Sequence, residues 1–339
     1  MGFIFYNCVL ILFPFSFGMM GEDRPRENYS PHEVAVEDLW QDNVSSGINF
    51  SKYDDIKVQV LGENKPEPIR DFPSSGLHTV LLENVLRAKY TVPTPVQKHG
   101  LPIILAGRDL MACAQTGSGK TAAFLLPIIH RILETKAPSG AGLPEQAPQA
   151  VIMTPTRELA IQISEECRKF CSGSEVKTAI LYGGTDVRFQ RGQLARGANI
   201  LVATPGRLLD FAERGHFTFA SLQFLVLDEA DRMLDMGFMP DIRRCVNNPR
   251  MPRKGVRQTL MFSATFPEEI RRTAGEFLSN YLQLQVILPS VSNFLLLALL
   301  SHPMPMTLFQ VGLVGGACTD VSQAFFQCAK FEKKDKFIR

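Results

Sequence analysis

The stretch Ala114-Gln-Thr-Gly-Ser-Gly-Lys-Thr121 decides the fold, because it joins an apolar run at residues 110–114 to a segment with helical spacing. It keeps the second half of the phosphate-binding pattern G-x-x-x-x-G-K-[ST], with alanine at the first position. Gly117 and Gly119 let the backbone wrap closely, so that successive N–H groups at the start of the helix point at a phosphate. The stretch therefore predicts a strand, a phosphate-binding turn and a helix.

Two side chains of this turn carry the expected chemistry. Lys120 supplies a positive charge for the β- and γ-phosphates, and the Thr121 hydroxyl can bind Mg²⁺. The alternative is a glycine-rich turn with an exposed lysine. The residues predicted to contact the nucleotide here are Thr116, Gly117, Ser118, Gly119, Lys120 and Thr121.

A second stretch, Phe224-Leu-Val-Leu-Asp-Glu-Ala-Asp231, is an apolar strand that ends in acids. An aspartate at that edge, Asp228, is placed to hold Mg²⁺. Glu229 is placed to orient and activate a water for attack on the γ-phosphate. We therefore expect Lys120, Asp228 and Glu229 to be the catalytic residues. For Asp231, capping of the following helix is as good an explanation as chemistry.

Short apolar runs alternate with helical patterns through the middle of the chain. The runs are residues 110–114, 150–153, 178–181, 200–203, 224–227 and 259–262. This alternation predicts an α/β fold with a parallel sheet that is covered by helices on both faces. Ligands of such sheets bind beyond the carboxyl ends of the strands, where the polar motifs of this sequence fall.

Length and composition limit the possibilities further. At 339 residues the chain has room for about two domains. Apolar residues make up 45% of the chain, which excludes disorder throughout. A net charge of +2 without long like-charge blocks excludes a basic arm. The seven scattered cysteines include no C-x-x-C pair, so neither a disulfide framework nor a zinc site is indicated.

The motifs resemble those of DEAD-box ATP-dependent RNA helicases, since residues 228–231 read D-E-A-D. Further matches in the family's order are Tyr90-Thr-Val-Pro-Thr-Pro-Val-Gln97 with Phe72 upstream (the Q motif), Pro155-Thr-Arg-Glu-Leu159, Gly183-Gly184, Thr204-Pro-Gly-Arg207 and Ser263-Ala-Thr265. The stretches at residues 47–56 and 107–115 look most like the Vasa branch. The resemblance implies a RecA-like P-loop NTPase domain that uses ATP and Mg²⁺.

The resemblance also assigns roles to single residues. Gln97 would bond the edge of adenine, and Tyr90 would stack on it, although Tyr90 could be an ordinary half-buried aromatic residue. Ser263 and Thr265 would bond toward the D-E-A-D acids and, with Asp231, couple nucleotide state to domain closure; either could instead be a plain turn residue. Lys89 stands where the family commonly has glycine.

RNA is the partner that the resemblance implies. The predicted contacts are Pro155, Thr156, Arg157, Gly184, Thr204, Pro205, Gly206 and Arg207. Backbone amides and arginines contact the sugar-phosphate chain rather than the bases, so we expect RNA binding with little sequence preference. The Vasa likeness suggests a cytoplasmic protein of germ-cell ribonucleoprotein granules, with ribonucleoprotein partners and a role in germ cell development. The apolar start at residues 2–20 lacks the features of a signal peptide, and we expect no membrane partner.

The expected domain organisation follows from where the motifs stop. We predict an apolar start and flexible tail at 1–44, a RecA-like ATP-binding domain at 45–282 with its Q motif at 72–97, an insert at 283–310 and the truncated start of a second helicase domain at 311–339. The alternation of Leu282–Val286 predicts a strand that replaces the final strand of the sheet. Without the second domain and its arginine finger, we expect an impaired helicase, or alternatively a non-catalytic ATP- and RNA-binding fragment.

Overall fold

A computed structural model describes residues 35–40, 57–135 and 146–287 of the chain. Eight strands lie in these residues, β1 to β8: Lys57–Leu61, Leu110–Cys113, Ala150–Met153, Thr178–Leu181, Ile200–Ala203, Phe224–Leu227, Gln258–Ser263 and Leu282–Ile287. The α-helices of the same residues are α1 to α10: Val36–Leu39, Thr79–Arg87, Pro95–Leu105, Lys120–Thr135, Arg157–Phe170, Val187–Ala195, Pro205–Glu213, Ala230–Asp235, Met239–Val246 and Glu268–Phe277.

The strands form one sheet in the order β1-β8-β2-β7-β6-β3-β5-β4. Every pairing is parallel except that of β1 with β8. The predicted α/β fold with a parallel sheet is confirmed, with one antiparallel edge strand that the sequence analysis does not anticipate. Because parallel strands share a direction, the carboxyl ends of β2 to β7 meet at one edge, and the predicted motifs other than the Q motif directly follow these strand ends.

Alternate residues of the central strands enter two separate cores. In β3, Ala150 and Ile152 join the core that α2 to α5 cover, whereas Val151 and Met153 join the core under α7 to α10. Strands that are buried on both faces read as continuous apolar runs, which is why the sequence shows them so clearly. The prediction of helices on both faces is confirmed.

The strand predicted at Leu282–Val286 is present and extends to Ile287. It pairs with β2 in parallel, Leu110 opposite Leu282, and with β1 in the antiparallel direction. The sheet therefore continues past residue 282, where the sequence analysis ends the domain. The remainder of the predicted insert and the predicted start of a second domain at 311–339 lie outside the described residues.

Lys89 adopts a left-handed backbone conformation, with φ of 61°. The N–H groups of Lys89 and Tyr90 donate to the carbonyl oxygens of Leu86 and Val85, at 2.9 Å and 3.2 Å, and so close the end of α2. A glycine fits this position without steric cost, whereas lysine is strained there. The turn that leads into the Q motif nevertheless forms.

None of the helices in the described part of the chain is long and apolar enough to cross a membrane.

Candidate functional site

The predicted phosphate-binding turn and the predicted acids lie at neighbouring positions on the carboxyl edge of the sheet. Strand β7 separates β2, which leads into the turn, from β6, which leads into Asp228. Asp228 is buried, with 3% of its surface exposed, and its N–H donates to the carbonyl oxygen of Met153 at 2.9 Å. Burial raises the pKa of both Asp228 and Glu229, and the nearby charge of Lys120 opposes the rise at both carboxylates. The structure thus brings the three predicted catalytic residues together.

The turn adopts the backbone that its glycines allow. Gly117 and Gly119 have φ of 81° and 84°, and α4 begins at Lys120. The N–H groups of this helix start have no partners within the helix, which makes it a favourable place for an anion.

Lys120 is folded back onto the turn. Its Nζ donates to the carbonyl oxygens of Ala114 and Gln115 at 2.7 Å and 3.0 Å. The Ser118 hydroxyl donates to the same oxygen of Gln115 at 2.7 Å. The lysine is therefore buried and held by neutral acceptors that an incoming phosphate can replace.

Gln97 links the Q motif to this turn. Its Oε1 accepts the N–H of Thr94 at 2.9 Å and its Nε2 donates to the carbonyl oxygen of Gly119 at 3.1 Å. The side chain is fully buried, so both halves of its amide are used inside the protein. Contact with an adenine edge stays a prediction, and it requires these bonds to be exchanged.

Asp228 and Glu229 are adjacent carboxylates that are largely shielded from solvent. The N–H of Glu229 donates to the Asp228 carboxylate at 3.1 Å. Burial raises the pKa of Asp228, and Lys120 and this N–H oppose the rise. Burial, and then the neighbouring Asp228, raise the pKa of Glu229 to about 7. A carboxylate with a pKa near neutrality is well matched to general base catalysis.

Glu229 is also constrained by its backbone and by a neighbour. It has φ of 54° and ψ of 52°, a left-handed conformation at the start of α8. Its Oε2 lies 3.3 Å from Nη1 of Arg232, one turn along that helix. Strained backbone of this kind persists only where the surroundings impose it, and it is frequent at functional sites.

The raised pKa of Glu229 predicts a pH-dependent stability. Because the folded chain binds this proton more tightly than the unfolded chain does, the stability is fully present below the unfolded pKa of 4.5 and falls as the pH rises through about 7. Replacing Glu229 with Gln removes this pH dependence together with the ion pair to Arg232, so the melting temperature of the variant should gain on that of the parent chain by about 3–8 °C between pH 4.5 and pH 8.5. Thermal unfolding across this range measures the difference. Glu67→Gln, at an exposed position, serves as the control, and a gain that does not grow with pH would contradict the prediction.

Asp231 and Thr265 form the predicted link between the acids and the S-A-T motif. The N–H and the hydroxyl of Thr265 both donate to Oδ2 of Asp231 at 2.8 Å. Ser263 differs, since its buried hydroxyl has no hydrogen-bond partner among the described residues. The bond predicted from Ser263 toward the acids is therefore not formed; its carbonyl oxygen instead accepts the N–H of Ala114 at 3.1 Å. In this structure Ser263 reaches the phosphate-binding turn through its backbone.

The residues predicted to bind RNA occupy the other half of the same edge. Strands β3, β5 and β4 are neighbours, and the three motifs follow them directly. Pro155, Thr156 and Arg157 follow β3, Gly184 follows β4, and Thr204, Pro205, Gly206 and Arg207 follow β5. Gly184 and Gly206 are exposed, whereas both prolines of the set are buried. The structure thus brings the three motifs to adjacent strand ends.

The two arginines of this set are supported by neighbouring side chains. The Arg157 guanidinium lies 5.1 Å from the centre of the Tyr182 ring. Arg207 donates to the carbonyl oxygen of Thr185 and to Oε1 of Gln190, both at 3.3 Å. Both guanidiniums are half-buried, so their positions are fixed while part of each faces solvent.

Sequence reasoning missed three residues that support the site. Arg232 pairs with Glu229, and Gln190 holds Arg207. The N–H of Thr94 donates to the Gln97 side chain. The spacing T-x-x-Q before an apolar run is a capping-box signal, from which this contact of Thr94 can be predicted. Arg232 and Gln190 carry no comparable signal, because each acts through a contact that only the folded chain creates.

Comparison with known proteins identifies the family. The family model described as DEAD/DEAH box helicase matches residues 94–273, which is more than half of the 339-residue chain. The chain belongs to the DEAD/DEAH box helicase family. Among solved structures, the RNA helicase Prp28 from Chaetomium thermophilum bound to ADP is similar to this chain, with a TM-score of 0.61, 34% identity, and 77% of this chain and 59% of that chain covered.

Two curated relatives are similar along nearly all of this chain. The ATP-dependent RNA helicase vasa of Drosophila melanogaster is 47% identical over 93% of the chain, and the probable ATP-dependent RNA helicase DDX4 of Homo sapiens is 47% identical over 93%. The chain spans 43% and 40% of the length of these relatives. The fold is that of the RecA-like domain of DEAD-box helicases.

Proposed function

We propose that this chain is the nucleotide-binding RecA-like domain of an ATP-dependent RNA helicase of the Vasa type. It binds ATP with Mg²⁺ and the backbone of single-stranded RNA, and the helicase hydrolyses ATP to remodel RNA. The observation that carries the proposal is the convergence of Lys120 with Asp228 and Glu229 at the ends of strands on either side of β7.

The residues of the site fit a magnesium nucleotide. The turn of residues 116–121 offers backbone N–H groups at the start of α4, and Lys120 offers the positive charge that a triphosphate needs. Asp228 and Thr121 would hold Mg²⁺, a metal that proteins commonly bind through one or two oxygen ligands together with phosphates and waters. When bound, Mg²⁺ would neutralise part of the negative charge on the phosphates.

The protein's own residues have separate tasks in this proposal. Lys120 exchanges its two carbonyl partners for phosphate oxygens, because a charged acceptor binds an ammonium more strongly than a neutral one does. Glu229 accepts the proton of the attacking water, for which its pKa of about 7 suits it. Asp231 transmits changes at this site to the S-A-T motif through Thr265, to which it is bonded twice.

The RNA part of the proposal rests on the second half of the carboxyl edge. Exposed Gly184 and Gly206 let a phosphate approach the backbone, and Arg157 and Arg207 add charge. Phosphate and sugar contacts position a nucleic acid without reading its sequence. This arrangement supports binding of RNA with little sequence preference.

The alternative is a non-catalytic module that binds ATP and RNA. Both functions use the same residues, and turnover separates them. We expect the chain to bind ATP with Mg²⁺ under either function, and an ATPase assay with and without single-stranded RNA measures turnover. RNA-stimulated hydrolysis that is lost in Glu229→Gln would favour an active enzyme, whereas failure of ATP to bind would contradict both functions.

We also propose a cytoplasmic location in germ-cell ribonucleoprotein granules, ribonucleoprotein partners and a role in germ cell development. The support is the likeness to vasa, at 47% identity over 93% of this chain. Immunofluorescence of the protein in gonad tissue tests the location. Staining confined to somatic cells would contradict it.

A further inference from the structure

Tyr90 is held on two sides by aromatic rings. Phe72 and Phe170 pack against it in T-shaped contacts, with ring centres 6.2 Å and 5.8 Å away and interplanar angles of 74° in both pairs. Both phenylalanines are buried, and Tyr90 is partly exposed. Edge-to-face packing of this kind is a favourable arrangement for aromatic rings and limits their rotation.

The tip of Tyr90 meets a carboxylate on α5. The Tyr90 hydroxyl donates to Oε2 of Glu166 over a long 3.4 Å. Burial raises the pKa of Tyr90 far above its usual value, so the phenol keeps its proton and remains a donor. Burial also raises the pKa of Glu166, and its bond from Tyr90 opposes the rise.

Glu166 also faces the phosphate-binding turn. A cavity of about 280 Å³ lies between α4 and α5, and its lining includes Thr121, Gln162, Glu165, Glu166 and Lys169. Thr121 directly follows the lysine of the turn. Glu166 therefore contacts Tyr90, which is expected to stack on the base. The same side chain lines the cavity next to Thr121, which is expected to bind the metal.

We propose that Glu166 is a positioning residue, whose carboxylate fixes the Tyr90 ring so that the ring presents one face to a purine base while the phosphates occupy the turn. The inference deepens the proposed function and rests on it. The two T-shaped contacts restrain the ring, and the hydrogen bond to Glu166 restrains its hydroxyl end. An aromatic platform fixed in advance loses less entropy when a base stacks on it than a mobile one does.

Binding of unlabelled ADP and GDP, with Mg²⁺, to full-length variants tests this inference. Glu166→Ala should weaken ADP binding by about 3- to 10-fold, and Tyr90→Phe should have a similar effect. Because both variants remove the same bond, the double variant should lose little more than either single one. Glu166→Gln keeps an acceptor oxygen and should restore most of the affinity. Glu165→Ala, a neighbour that lines the same cavity, is the matched control.

Comparing the affinities for ligands with and without a base separates a positioning role of Glu166 from a general effect on stability. Inorganic pyrophosphate lacks a base, so its affinity should be unchanged in Glu166→Ala, while the affinities for ADP and for any GDP that the unsubstituted chain binds should fall together. Equal losses for ADP and pyrophosphate, or a loss no larger than that of Glu165→Ala, would overturn the positioning role. Failure of the unsubstituted chain to bind ADP, or an unchanged affinity in Lys120→Ala, would instead contradict the proposed function.

Discussion

Replacing Lys120 with alanine is expected to weaken ATP binding by at least about 30-fold, because truncating one partner of a buried, hydrogen-bonded charge pair costs about 2–5 kcal/mol. The side chain is buried at the start of α4 and bonds only to neutral carbonyl oxygens of its own turn. A triphosphate offers it charged oxygens instead. Calorimetric titration with a non-hydrolysable ATP analogue and Mg²⁺ measures the loss.

Lys65→Ala provides the matched control, because it removes the same charge from an exposed position. Its affinity for the analogue should equal that of the unsubstituted chain. Circular dichroism should show that Lys120→Ala remains folded. A folded Lys120→Ala chain with unchanged affinity would place the nucleotide elsewhere and contradict the assignment of residues 116–121.

Replacing Gly119 with alanine is expected to lower the melting temperature by about 4–8 °C, which corresponds to about 2 kcal/mol for a domain of this size. A Cβ at this position would lie 2.5 Å from Nε2 of Gln97 and 3.0 Å from Oγ1 of Thr94. The backbone φ of 84° adds strain for any residue with a side chain. Moving Gln97 away would break its bonds to the turn and to Thr94. Differential scanning calorimetry measures the change.

Gly117→Ala is the control that isolates crowding from backbone strain. Gly117 has nearly the same φ, 81°, but a Cβ there would meet no atom within 4 Å. It should therefore lose only about half as much stability, since it carries the left-handed strain alone. Equal losses in the two variants would show that the Gln97 contact contributes nothing.

The sequence predicts the parts of this molecule that local patterns encode. Strands β3 to β6 coincide with their predicted runs. Three of them, β3, β5 and β6, are buried on both faces, which leaves short apolar segments with clear ends. The convergence of Lys120 with Asp228 follows from the geometry of parallel sheets, in which strand ends share one edge. The N–H and the hydroxyl of Thr265 both donate hydrogen bonds to Asp231, which is one of the two contacts predicted from the S-A-T motif.

Other features depend on competition between partners, which sequence does not resolve. The Gln97 amide can bond a base, a helix start or the turn, and in this structure it bonds the last two. Ser263 and Thr265 are equally suited to bond an acid, but only Thr265 reaches Asp231. Strand β1 pairs with β8 across more than two hundred residues, and no local pattern specifies such a partner.

The central claim is that Lys120 and Asp228 act on one magnesium-bound triphosphate. Calorimetric titration of a non-hydrolysable ATP analogue into Lys120→Ala and Asp228→Asn, each with Mg²⁺ and with excess chelator, tests it most directly. Lys120→Ala should weaken binding in both conditions, because the lysine contacts phosphate. Asp228→Asn should weaken binding only with Mg²⁺ and should strengthen it slightly without metal, since a buried carboxylate repels free triphosphate. An Asp228→Asn effect that is the same with and without Mg²⁺ would contradict the claim.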